Sequence, residues 1–364
     1  MSHPSGPTIP HAGATSTVPA GQAPPAPQHS MRVAVIGAGH VGATFAYALL
    51  LRGLASEIVL IDADRGRAEG EAMDLAHAVP LTHPTRVWAG DYADCAGAAV
   101  TVITAGAAQR PGETRLALLE RNAAIVGEVV AQVVRHNPAG LLLVASNPVD
   151  VLAYEAWRIS GLPAGRVIGS GTILDTARFR ALLGQHFDVD PRNVHAYILG
   201  EHGDSEVAAW SIATVAGMPL TAYCAANGIV CDRADMDAIV RQTRDAAYAI
   251  IERKGATYYA IGVGLARIVE AILRDERSVL SVSTLVDGYA GIHDVYLSVP
   301  AVVGRGGVER VLRPALAANE VAALQRSASV LRERIAQLRK AGPSALVAPR
   351  SPAAAPRPAA EVRR

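Results

Sequence analysis

Arg32-Val33-Ala34-Val35-Ile36-Gly37-Ala38-Gly39-His40-Val41-Gly42 is the stretch whose reading decides the fold. Its apolar, β-branched start reads as a short strand buried on both faces. Gly37, Gly39 and Gly42 then form a Gly-x-Gly-x-x-Gly that opens a helical pattern over residues 41–52. Alone the motif is weak evidence, but a strand before it and a helix after it give it a mechanism. The first glycine allows the tight turn, the second lets the backbone approach a pyrophosphate, and the third lets helix and strand pack closely. The helix N-terminus adds unpaired N–H groups and the positive end of its dipole. Asp62 closes the next apolar run, twenty residues after Gly42. A carboxylate there accepts from both ribose hydroxyls and repels a 2′-phosphate, so NAD is expected over NADP.

Working outward, Ile58-Val59-Leu60-Ile61, Val100-Thr101-Val102-Ile103 and Leu141-Leu142-Leu143-Val144 repeat the apolar-strand theme. Residues 41–52 and 114–136 are long enough for crossover helices between them. The alternation predicts an α/β fold, a Rossmann-type doubly wound parallel sheet over residues 31–169. After about residue 170 the rhythm changes. Helical patterns at 232–253 and 255–274 flank short β-like pieces around 281–299. Val321, Leu324, Ala328, Leu331, Ile335 and Leu338 then recur at helical spacing. Residues 170–340 are expected to form an α+β substrate domain. No internal repeat is visible. Residues 1–30 and 341–364 are rich in Pro and Ala and read as disordered tails, with Met31 as a possible start of translation.

Composition narrows the function classes. The chain has 364 residues, 34 basic against 33 acidic, a net charge of +1 that invites neither nucleic acid nor an anionic membrane. No apolar run reaches the ~20 residues of a membrane span. Only Lys254 and Lys340 are lysines, which reads as genomic base composition. Cys95, Cys224 and Cys231 are widely spaced with no Cys-x-x-Cys, so unpaired thiols in a reducing cytoplasm are expected.

The chemistry-bearing residues lie at strand ends and in loops. Glu201-His202-Gly203-Asp204 could be an acid–base site, a metal site or an ordinary hydrogen-bonded loop. No second His or Cys stands beside it at ligand spacing, so no metal is expected. Gln109-Arg110-Pro111-Gly112-Glu113-Thr114-Arg115 is a polar Pro-Gly loop before a helix, able to close over a cofactor. Asn147-Pro148-Val149-Asp150 ends another strand, where ligands gather in open α/β sheets. Asp175 and Arg178 stand three apart on one helix face. They are either a surface ion pair or, together, an orienting carboxylate and a bidentate clamp for an acid.

These motifs, with residues 169–178 and Lys254-Gly255-Ala256-Thr257-Tyr258-Tyr259, occur in the order seen in bacterial L-lactate dehydrogenases. The chain resembles that branch of the lactate/malate dehydrogenase family from about residue 31 to 340. The resemblance implies His202 as catalytic acid–base with Asp175 as its partner. Arg115 would polarise the reacting carbonyl and Arg178 would clamp the carboxylate, with Asn147 and Thr257 in the substrate pocket. It also implies cofactor contacts from Gly37, Gly39, Val41, Gly42, Asp62, Arg67, Tyr92, Gly106, Ala107, Ala145, Ser146, Asn147 and Ser170. Ser170 stands where many relatives have threonine, and Glu128 where some have a small polar residue. Malate dehydrogenases typically carry arginine at the position of Gln109, where it pairs with oxaloacetate's second carboxylate. A neutral amide there points to pyruvate and L-lactate. Arg180 and His195 match positions that bind fructose 1,6-bisphosphate between subunits, and the resemblance implies a cytoplasmic homotetramer of glycolysis and fermentation. Malate or another 2-hydroxy acid as substrate, or a catalytically silent NAD-binding protein, are the alternatives.

Overall fold

Alternation within the first strand organises the molecule. In β1 (Arg32–Ile36), Val33 and Val35 face one apolar cluster while Ala34 and Ile36 face another. In chain order there follow α1 (His40–Leu51), β2 (Glu57–Ile61), α2 (Arg65–Ala78), β3 (Arg86–Ala89), β4 (Val100–Ile103), α3 (Arg115–His136), β5 (Leu141–Val144), α4 (Val149–Ser160) and β6 (Val167–Gly169). The computed structural model describes residues 31–108 and 112–340. Gln109 and the two tails lie outside the described residues.

β1 to β6 pair in parallel in the order β3-β2-β1-β4-β5-β6. Phe45 and Leu49 of α1 cover one face of this sheet, and Leu119 and Val126 of α3 with Leu152 of α4 cover the other. Strands buried on both sides must be apolar throughout, which is why their sequences are nearly continuous Val, Ile and Leu. The order reverses between β1 and β4, and that switch point leaves a crevice at the carboxyl ends of the strands.

The second half begins with α5 (Ile173–Phe187) and five two-residue strands: β7 (Val194–His195), β8 (Ile198–Leu199), β9 (Val207–Ala208), β10 (Thr214–Val215) and β11 (Met218–Pro219). Then come α6 (Leu220–Asn227), α7 (Arg233–Lys254), α8 (Tyr259–Leu273), β12 (Ser278–Val286), β13 (Val295–Gly304), β14 (Gly307–Val311) and α9 (Ala318–Lys340). β12, β13 and β14 join the parallel sheet through β6, with Ser283 opposite Gly169, and make it nine strands wide. Leu265 and Ile272 of α8 pack on the face covered by α1, while Leu331 and Ile335 of α9 pack beside α3 and α4.

Two expectations are corrected. The helix expected from residue 255 starts at Tyr259, because Gly255 takes a left-handed conformation (φ +83°) that ends α7. Cys224 and Cys231 are joined as a disulfide, with Cα atoms 6.2 Å apart. Gly228 terminates α6 in the left-handed region and turns the chain back, which brings the two sulfurs together across the turn into α7. Cys95 alone is a free, buried thiol among the described residues. Among those residues no helix is long and apolar enough to cross a membrane.

Candidate active site

At the switch point the glycines do what the spacing demands. Gly37 sits at φ +103°, against the Ala105 backbone, and its N–H donates to the Ile61 carbonyl at 2.7 Å. A side chain on Gly42 would meet the Gly37 carbonyl oxygen 1.9 Å away, so helix and turn can touch only there. Gly39, by contrast, faces open space. Beside that space the N-terminus of α1 has no side-chain cap and no acidic residue in its first turn. An open cradle above free N–H groups fits a pyrophosphate. Asp62 accepts from Ala38 N–H at 2.6 Å and from Asp64 N–H at 2.9 Å, which holds its carboxylate at the end of β2. Each oxygen keeps a lone pair for a ribose hydroxyl. Tyr92 is half-buried, and burial with the nearby charges of Glu128 and Asp62 pushes its phenol up from the ordinary value. Arg67 is exposed on α2.

The neighbouring loops are tied together by a residue that sequence reading did not single out. Asn122, buried on α3, accepts from Ala107 N–H at 2.8 Å and donates to the Asn147 carbonyl at 3.0 Å. Ser146 donates to the Ala105 carbonyl at 2.5 Å. Gly106, Ala107, Ala145, Ser146 and Asn147 thus form one wall after β4 and β5. Ser170, buried after β6, donates its N–H to the Val144 carbonyl at 2.8 Å.

Deeper in the crevice, a cavity of about 430 Å³ is lined by Arg115, Asn147, Asp175, Arg178, His202 and Arg244, among others. Asp175, 3% exposed in the first turn of α5, divides its carboxylate: one oxygen accepts from Arg178 Nη1 at 2.9 Å, the other meets His202 Nδ1 at 2.6 Å. Burial pulls the His202 imidazolium down, but the charge and hydrogen bond of Asp175, helped by Asp150 and Glu206, lift it to about 9. With Nδ1 committed, Nε2 is the nitrogen left for chemistry. Arg115 begins α3, capped by the Thr114 hydroxyl, and is 80% exposed, 3.9 Å from Asp204.

Three elements pin the histidine loop. His202 N–H donates to Asp150 of α4 at 2.8 Å, and Glu201 N–H to Ser327 of α9 at 2.8 Å. Gly200 exchanges two backbone hydrogen bonds with Ser298 of β13. Glu201, fully buried, is paired with Arg334 of α9 and accepts from Ser205. Glu206, Arg244, Tyr248 and Arg334 all escaped the sequence reading, which quoted Asp150 in its motif but gave it no role. A carboxylate in the first turn of α4, at a strand's carboxyl end, was the one available signal for Asp150. Thr257 lies half-buried in the loop between α7 and α8 and is not among the residues lining the cavity. Arg180 donates to the Ala196 carbonyl at 2.9 Å and lies over the Tyr197 ring, next to exposed His195.

A parallel nucleotide-binding sheet with a His–Asp–Arg cavity at its switch point defines the class of NAD-dependent dehydrogenases. The sequence model of the lactate/malate dehydrogenase NAD binding domain matches residues 31–169, and that of the alpha/beta C-terminal domain matches residues 172–341. The L-lactate dehydrogenase of Thermoanaerobacter sp. (strain X514) is 51% identical over 84% of this chain and 99% of its own length. That of Synechococcus sp. (strain JA-3-3Ab) is 52% identical over 85% of this chain and its own full length, 100%. Among solved structures, the minor L-lactate dehydrogenase of Enterococcus mundtii superposes with a TM-score of 0.83 at 44% identity, covering 85% of this chain and 98% of its own. A lactate dehydrogenase from a Medee basin deep-sea metagenome library gives 0.84 at 46%, covering 85% of this chain and 99% of its own. The chain belongs to the lactate/malate dehydrogenase family.

Proposed function

We propose that this chain is an NAD-dependent L-lactate dehydrogenase that reversibly reduces pyruvate to L-lactate. The observation that carries the proposal is the Asp175 carboxylate shared between His202 and Arg178 in one cavity. Asp175 holds the imidazole so that Nε2 gives a proton to the carbonyl oxygen, or takes it back from the alcohol. The same carboxylate steadies Arg178, whose planar fork meets the substrate carboxylate bidentately. Arg115 at the cavity rim adds positive charge as the oxygen becomes anionic. Asn147 lines the pocket, and Thr257, in the loop after α7, is a pocket residue by family resemblance alone. The glycine loop and the α1 N-terminus would hold the cofactor's pyrophosphate and Asp62 its ribose. When bound, the nicotinamide supplies the hydride, and accepts it in the reverse direction.

Pyruvate is assigned over oxaloacetate because the resemblance puts neutral Gln109 where malate dehydrogenases carry the arginine that pairs with the second carboxylate, and the L-lactate dehydrogenases above support that choice. Arg180 and His195 are the proposed contacts for fructose 1,6-bisphosphate. Arg180 donates to the Ala196 carbonyl, one residue from exposed His195, and this supports a phosphate contact that a symmetric copy would repeat. A cytoplasmic homotetramer serving fermentation is the setting. The test is NADH oxidation, followed by absorbance, with pyruvate, oxaloacetate and bulkier 2-oxo acids, with and without the bisphosphate. Pyruvate should give the highest kcat/KM, and the bisphosphate should lower its apparent KM. Faster turnover of oxaloacetate would overturn the substrate, an unchanged KM the activator, and no turnover of any 2-oxo acid the enzyme itself.

A further inference from the structure

Glu206 closes the histidine loop, its N–H donating to the Gly203 carbonyl at 3.1 Å, and its side chain lines the substrate cavity. It is 7% exposed, and its Oε1 is buried with no hydrogen-bond partner. Across the same cavity the Nε of Arg244, on α7, is likewise buried and unpartnered. An ionised carboxylate beside a guanidinium would be expected to pair with it, because an unpaired buried charge is far more costly than an unpaired buried neutral group. Here acceptor and donor remain apart. That arrangement suits a neutral carboxyl group.

We propose that Glu206 is a positioning residue of the substrate cavity, which admits the acid's carboxylate while Glu206 carries a proton and opposes it once Glu206 is ionised. The inference rests on the dehydrogenase reading, since the carboxylate in question is the one assigned to Arg178. The charges that face Glu206 come from several elements. α5 supplies Asp175 and Arg178, the loop supplies His202, and α7 supplies Arg244. Farther round the same cavity are Arg115 of α3, Asp204 of the loop, Tyr248 of α7, and Arg334 of α9, which is already paired with Glu201. Burial, followed by repulsion from Asp175, holds the Glu206 carboxyl at about 8, against the pull of Arg244, His202 and Arg178. At neutral pH it is therefore predominantly uncharged. Above that it becomes a second anion near the guanidinium that must receive the first.

Two protons are then needed for pyruvate to bind and react, one on His202 and one on Glu206. In the wild type, log kcat/KM for pyruvate should fall with a limiting slope of about −2 on the alkaline side, each ionisation removing about tenfold per pH unit. Glu206→Gln, which carries no ionisable proton, should fall with a slope of about −1. Glu206→Asp, still ionisable, should keep the steeper limb. Each profile is scaled to its own value at pH 7, so a change in overall activity does not enter. Equal slopes in wild type and Glu206→Gln would overturn the proposal. A second readout needs no variant: with carbon-13-labelled glutamate, an infrared band of a protonated glutamic acid should be present at pH 7 and lost by pH 9.5. A glutamate pool fully ionised at pH 7 would equally overturn it. Failure of the dehydrogenase reading is distinct, since it leaves no pyruvate turnover from which to draw a profile.

Discussion

Replacing Asp175 with Asn removes the charge that defines the His202 imidazole while keeping the side chain's shape. In the intact protein His202 titrates at about 9, against 6.5 for an unperturbed histidine. That difference of 2.5 units, at 1.36 kcal/mol each, corresponds to about 3 kcal/mol favouring the imidazolium. The side chain is 29% exposed and Asp150 and Glu206 contribute, so about 2 kcal/mol falls to Asp175 after allowance for screening. Burial remains in the variant and acts the other way, so its imidazole should titrate at or below about 7. The His202 ionisation in the alkaline limb of kcat/KM for pyruvate reduction should therefore move down by about two pH units. At pH 8 the protonated fraction alone should reduce kcat/KM by about tenfold, and less secure orientation should bring the loss to about a hundredfold. Activity should recover in part towards pH 6, where the imidazole is again protonated. Initial rates of NADH oxidation across pH 5.5–10 measure this. A His202 ionisation that stays near pH 9 in the variant would refute the electrostatic role given to Asp175.

Asp62→Ser should reduce the preference for NAD over NADP by roughly 10- to 100-fold, because a charge-assisted hydrogen bond of about 1.5–3 kcal/mol is lost and repulsion of a 2′-phosphate is removed. The ratio of kcat/KM values for the two reduced cofactors reports it, and an unchanged ratio would contradict the ribose assignment. Arg334→Met should leave Glu201, 2% exposed, without its cation and destabilise the protein by about 3 kcal/mol. Denaturant unfolding measures that loss, and stability within about 0.5 kcal/mol of the parent would show that Ser205 and the Ser327 region suffice.

Much of this fold is legible from local pattern because parallel strands buried on both faces have no room for polar residues. The runs ending at Ile36, Ile61, Ile103 and Val144 declare themselves for that reason, and each is a strand of the main sheet. The α9 stripe is equally readable, with Leu324, Ala328, Leu331, Ile335 and Leu338 all buried. β3 is harder to see, since an edge strand of Arg86, Val87, Trp88 and Ala89 is only half-covered and carries no apolar run. The two-residue strands from β7 to β11 are too short to show any period. The pairing of Gly169 with Ser283 joins positions far apart in the chain, so the continuous nine-stranded sheet leaves no local trace.

The site divides along the same line. Asp175 and Arg178 are adjacent on a helix, and the structure brings His202 to them. Residues that act through tertiary geometry alone could be given no role from the sequence. Asp150 holds the His202 backbone from α4, and Arg334 reaches Glu201 from the last described helix. The Cys224–Cys231 bridge was missed because spacing rules do not register a turn that brings two helix ends together.

His202→Asn tests the central claim most directly, since asparagine keeps a polar side chain in the loop but cannot cycle a proton near neutrality. NADH binding, followed by fluorescence titration, should remain within about threefold of the parent, because the glycine loop and Asp62 are untouched. Turnover of pyruvate at saturating NADH should fall by at least about a thousandfold, the upper part of the range for a positioned acid–base. Turnover within tenfold of the parent, with NADH binding intact, would contradict the assignment of His202 as the proton donor.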